Sequence, residues 1–78
     1  MIVQVESRTG AHGDREPAAF LLGTKRIAVL QILDRWLSEE SSYFKVDAED
    51  GSTCILLYVR ARQEWELTLY RSPQAGKL

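Results

Sequence analysis

Three segments in the second half of the chain can be laid side by side so that every second side chain builds one fully apolar face, and turn residues separate them. Few folds satisfy that pattern. If Ala61-Arg62-Gln63 turns the chain, Val59 faces Trp65, Leu57 faces Leu67 and Ile55 faces Leu69 on one side of a two-stranded ladder. Arg60 and Glu64, Tyr58 and Glu66, and Cys54 and Tyr70 then meet on the other side. One face is apolar and the other is mixed, with an opposite-charge pair beside the turn. Upstream, Glu49-Asp50-Gly51-Ser52 is turn chemistry, since glycine supplies positive φ and aspartate tolerates turn conformations. A loop of that length sets Val46 against Ile55 and Phe44 against Leu57, with Lys45 and Asp47 outward. The expectation is a three-stranded antiparallel meander, Tyr43–Ala48, Thr53–Arg60 and Glu64–Arg71.

The run from Lys25 to Glu40 admits two readings. Val29, Leu30, Leu33, Trp36 and Leu37 share one face of a helix. Gly23-Thr24, between Phe20-Leu21-Leu22 and Lys25-Arg26-Ile27, is a two-residue hairpin signal with glycine first. Ile27 to Leu33 is also rich in β-branched residues. As a strand, Ile27 and Val29 share the face of Phe20, but Gln31 points inward unless a bulge intervenes.

The chain has 78 residues, 45% of them hydrophobic, with ten basic and eleven acidic side chains and one cysteine. That length allows one domain. Neither disorder nor a charge-driven nucleic-acid tail follows from such a balance. The longest apolar run, Cys54 to Val59, is far short of the roughly 18–20 residues that span a bilayer. Met1-Ile2-Val3-Gln4-Val5-Glu6 lacks the basic start and apolar core of a signal peptide, so a cytoplasmic location is expected. A lone cysteine provides neither an internal disulfide nor a multi-cysteine zinc site. Stability must come from Phe20, Trp36, Phe44, Trp65 and the aliphatic residues, or in part from a second copy. Ile2 to Glu6 reads as a short leading strand. Residues 7–17, with two glycines, a proline and no large apolar side chain, are expected to form a mobile loop, and residues 72–78 a disordered tail.

Phe20, Gly23, Arg26, Val29, the string Ile32-Leu33-Asp34-Arg35-Trp36, then Tyr43-Phe44-x-Val46, Asp50-Gly51 and Trp65-x-Leu67 resemble a small uncharacterised bacterial domain family. Some of its members are similar to proteins encoded near relatives of error-prone DNA-repair polymerases. The resemblance covers Pro17 to Arg71 and rests on packing motifs, none of them a catalytic signature. This chain departs from the pattern with Cys54 where an aromatic is common and with a very short loop after Trp36. The resemblance implies a strand, not a helix, for Arg26 to Trp36 and transfers no activity. The expected fold is mainly β, a small antiparallel meander of five or six strands closing into a partly open SH3-like barrel. The alternative is α+β with a helix at about 26–39.

Few residues invite chemistry. His12 is the only histidine and sits between Gly10 and Gly13, whereas a general base needs a rigid shell. Cys54 has no histidine or cation at a defined spacing and reads as a small packing residue on the less buried face. A calcium loop needs acidic groups at positions one, three and five before its glycine, and counting back from Gly51 finds only Asp50. Glu64 and Glu66 lie outward, where Arg60 and solvent satisfy them. Gly10 and Gly13 lack the Lys-Ser/Thr of a phosphate loop. No catalytic, cofactor or metal residue is expected, and the chain is not expected to be an enzyme.

One surface remains. Tyr43, Lys45, Tyr58, Arg60, Thr68 and Tyr70 are expected to share the outward face of the meander, with Leu56 at its centre. Aromatic and basic strand faces dock peptides or stack bases. Glu66 and Asp47 dilute its positive charge. The expected role is therefore a non-catalytic module whose partner is another protein, a second copy included, with no membrane and no metal. The alternative is a single-stranded nucleic-acid binder linked to DNA repair.

Overall fold

The computed structural model describes residues 1–10, 13 and 15–72. Their secondary structure is all strand: β1 (Ile2–Val3), β2 (Val5–Thr9), β3 (Arg15–Leu22), β4 (Lys25–Leu37), β5 (Ser41–Ala48), β6 (Thr53–Val59) and β7 (Glu64–Arg71). They form one antiparallel sheet in the order β1-β7-β6-β5-β4-β3-β2. The two outermost strands are consecutive in the chain. Ile2 and Val3 pair with Glu66 and Trp65, and beyond Gln4 the same extended run pairs with β3, Val5 opposite Phe20. That handover curls the sheet into a partly open barrel. No helix of the described residues is long and apolar enough to cross a membrane.

The strand reading of 26–36 holds, as does the hairpin before it. Gly23 has φ +64 between the paired residues Leu22 and Lys25, as a two-residue turn with glycine first requires. β4 escapes the inward Gln31 through a bulge. Val29 pairs with Ala48 and Gln31 with Asp47, so Leu30 is the extra residue and Gln31 turns outward. A second bulge at Leu33 keeps Ile32 and Arg35 inward opposite Val46 and Phe44. Bulges also twist an open strand edge away from stray pairing.

Of the segment 7–17, expected as a mobile loop, residues 7–9 lie in β2 and residues 15–17 in β3. Ser7, Arg8 and Thr9 pair with Pro17, Glu16 and Arg15. What stands in for apolar side chains is charge: Glu16, its side chain only 12% exposed, lies between Arg8 at 3.6 Å and Arg35 at 2.5 Å. Arg35 also stacks over the Phe44 ring at 5.6 Å. The expectation for His12 falls outside the described residues, as does that for the tail apart from Ser72.

The meander is present, but its register departs by one residue on either side of β6. Asp47 pairs with Thr53 and Val46 with Cys54, because the first loop is Glu49–Gly51, one residue shorter than expected. The Ala48 amide donates to the Ser52 carbonyl, the Gly51 amide donates to Ala48, and Gly51 has φ +86. This is a three-residue loop, a turn followed by a left-handed glycine. The second loop, Arg60–Gln63, is one residue longer than expected, with Gln63 at φ 52. It sets Val59 against Glu64, Tyr58 against Trp65 and Leu57 against Glu66. The two offsets cancel for β5 and β7 and invert only β6. The core is therefore Val3, Phe20, Ile27, Phe44, Val46, Ala48, Cys54, Leu56, Trp65 and Leu67, and Ile55, Leu57 and Val59 lie on the opposite side from it. A bulge at Thr68 restores the expected partners Ile55–Leu69 and Cys54–Tyr70, but with Leu69 outward.

Candidate interaction site

Directly paired residues of an antiparallel ladder share a face, so the register places each residue of the expected binding face. Tyr43 and Lys45 are on the outer face. Tyr43 stands between Trp36 and Leu57, and Lys45 between Asp34 and Ile55. Tyr58 is on the core side, its ring 4.9 Å from that of Trp65. Tyr70 follows Cys54 on that same side, where its phenol donates to Asp50 at 2.5 Å. Arg60 folds back over the β4–β5 turn, donating to the Ser38 carbonyl and, at 2.6 Å, to the Ser42 hydroxyl. Thr68, in its bulge, donates to the Ile55 carbonyl. The six residues thus do not form one surface. Leu56, expected at its centre, is fully buried. Glu64 and Glu66 are outward as expected, but their partner is Arg62, at 3.3 and 2.7 Å, and not Arg60.

What the outer face carries instead is apolar. Trp36, Tyr43 and Leu57 form one cross-strand row, and Ile55 and Leu69 continue it on the next. Trp36 is 50% exposed and Tyr43 40%. Asp34, Lys45 and Glu66 border this strip, so both signs of charge surround it. Leu33, pushed out by its bulge, lies exposed on the same strand. The period-two pattern of β6 concealed the strip, because Cys54 to Val59 is apolar on both faces and either alternate set could have been the core.

Asp50 and Cys54 show why the acidic turn and the thiol have structural tasks. Burial would raise the Asp50 pKa, but hydrogen bonds from the Ser52 hydroxyl, the Tyr70 phenol and the Ser52 amide outweigh it and hold the carboxyl below its ordinary value. Its oxygens are thereby engaged in closing the β5–β6 loop. Cys54 is wholly buried in the core, not on the less buried face. Burial pushes its thiol pKa up, against the lowering effect of the Ser52 hydroxyl. A thiol so placed remains protonated and unreactive at neutral pH.

A second feature lies at the seam where the β1–β2 run passes from pairing with β7 to pairing with β3. A half-open cavity of about 500 Å³ is lined there by Val3, Val5, Phe20, Gln63 and Trp65 among others. A neighbouring cavity of about 300 Å³ shares Val5, Gln63 and Trp65 with it and adds Ser7, Arg15 and Tyr58. Nothing in the alternation of residues 7–17 pointed to this cleft, since it exists only because β1 and β2 serve different neighbours. Comparison with protein-family models, with curated proteins and with solved structures returned no match.

Proposed function

We propose that this chain is a non-catalytic module that binds another protein through the outer face of its meander. The observation that carries this reading is the Trp36–Tyr43–Leu57 row, extended by Ile55 and Leu69. A contiguous apolar strip left in water by a small domain marks a contact surface. Its aromatic centre and mixed-charge border match the composition of protein interfaces. A net charge of −1 suits a protein partner better than a polyanion. The tyrosines that a stacking platform for single strands would use are divided between two faces, which also supports a protein over a nucleic acid. The cytoplasmic location belongs to the proposal through the composition of residues 1–6, and the link to DNA repair through the family resemblance alone.

The test compares the parent with Trp36→Ser/Tyr43→Ser. Both residues are half-exposed, so the double variant should keep a cooperative melt near the parent's. Expected is a partner recovered from cell extract by the immobilised parent, or a dimer in sedimentation equilibrium, that the double variant loses. Identical recoveries and identical mass for the two proteins would refute the reading.

A further inference from the structure

We infer that the seam cleft binds an extended peptide in which a large apolar side chain and a carboxylate stand two residues apart. This inference is independent of the outer face and rests on three observations.

The first is an unfinished ladder. Continuing the pairing of Ile2 with Glu66 and Val3 with Trp65 would set Val5 opposite Gln63. Gln63 instead turns the chain in the left-handed conformation, and β2 swings to β3. β2 is the last strand of the sheet, so among the described residues one of its edges carries no strand, and that edge borders the cleft. A chain laid along it adds main-chain hydrogen bonds, and its alternate side chains enter the cleft. The bulge in the β2–β3 pair places its extra residue, Ala18, on β3. β2 itself stays regular, and Val5 and Ser7 keep the spacing of about 7 Å between alternate strand residues.

The second is the division of the cleft along that step. At Val5 the walls are Val3, Phe20 and Trp65, in a cavity of about 500 Å³, enough for an aromatic or large aliphatic side chain. At Ser7 the smaller cavity has Arg15 in its wall.

The third is charge. The carboxylates lining the cleft already have partners, Glu6 with Arg26 at 2.8 Å and Glu64 with Arg62 at 3.3 Å. Arg15 donates to the Ser7 hydroxyl at 2.6 Å and makes no ion pair among the described residues. The unbalanced charge of the cleft is therefore one guanidinium, held by a neutral hydroxyl, one strand step from the apolar chamber. A carboxylate at that distance completes it.

The experiment titrates the isotopically labelled full chain with an end-blocked hexapeptide carrying phenylalanine and, two residues on, glutamate, with threonine and serine elsewhere. Amide shifts are expected at Val5, Ser7, Gln63 and Trp65. A matched peptide with glutamine for glutamate should bind about tenfold more weakly, the worth of one charge-assisted hydrogen bond. Arg15→Gln, a surface change that leaves the core untouched, should abolish that difference. Equal affinity of the two peptides for the parent would overturn the inference. So would shifts confined to Tyr43 and Leu57, or no saturation up to about a millimolar. Tighter binding of 3-phenylpropionate than of the peptide would also overturn it, and would mark a small-molecule site.

Discussion

Tyr58 lies directly across from Trp65 on the core side of the sheet, with ring centroids 4.9 Å apart and planes inclined at 44°. Phe44 meets the same indole from β5, its centroid 5.7 Å away. Trp65 is thus the common neighbour of two aromatic rings and pairs with Val3 on its other side. It joins β1, β5 and β6 in one contact group, in the strand that starts where the barrel stays open.

Trp65→Ala removes that centre and should cost about 3–5 kcal/mol, the usual range for losing a large buried aromatic. A domain of this size has a margin of only about 5–8 kcal/mol, near the low end for folded proteins. Urea denaturation should therefore find the variant with about 0–5 kcal/mol of stability left and a midpoint shifted far toward zero denaturant. A cooperative transition near that of the parent would mean that the three rings do not hold the core.

Gln63 is the one described non-glycine residue with positive φ, at 52°. The left-handed conformation costs an L-residue roughly 1–2 kcal/mol, and glycine avoids it while adding freedom to the unfolded chain. The net expectation for Gln63→Gly is a gain of about 0.5–1 kcal/mol, read as a higher midpoint in thermal melts. Gln63→Val should move the midpoint the other way, since a β-branched side chain tolerates that conformation least.

Cys54 is fully enclosed between β5 and β7, with its thiol pKa pushed up by burial. Labelling by a thiol reagent at neutral pH should be slower in the native protein than in urea by several orders of magnitude, in step with the population of open molecules. Fast native labelling would place the thiol near the surface and contradict the inverted face of β6.

The extent to which the fold could be read from the chain depended on how one-sided each strand is. In β5, Phe44 and Val46 alternate with Lys45 and Asp47, so its inner face was unambiguous. In β7, Trp65 and Leu67 alternate with Glu64 and Glu66, with the same result. β6 has Cys54, Leu56 and Tyr58 on one side and Ile55, Leu57 and Val59 on the other. Such a strand specifies its register weakly, and loop geometry decides. Glu49–Gly51 closes in three residues because Gly51 takes the left-handed position, and Arg60–Gln63 closes in four because Gln63 does. The outer strip and the cleft were hidden for the same reason: one follows from the inversion of β6, the other from a ladder that divides at Gln4.

The Asp50 carboxylate ties the β5–β6 loop to β7, taking hydrogen bonds from the Ser52 amide at 3.0 Å, the Ser52 hydroxyl at 2.5 Å and the Tyr70 phenol at 2.5 Å. Ser52 is fully buried, so removing the acceptor leaves its hydroxyl short of a partner. Asp50→Ala should cost about 1–3 kcal/mol at neutral pH. The folded pKa of Asp50 lies below its ordinary value, so the charged form is favoured by folding. The stabilisation is present above the unfolded carboxyl pKa of about 3.9 and is lost as pH falls through the lower folded value. Melting temperatures of parent and Asp50→Asn, measured from pH 7 down to 2, should therefore differ most above about pH 5 and converge in acid. A gap that stayed constant across that range would show that the loop is held by its backbone turn and Gly51, with the carboxylate a bystander.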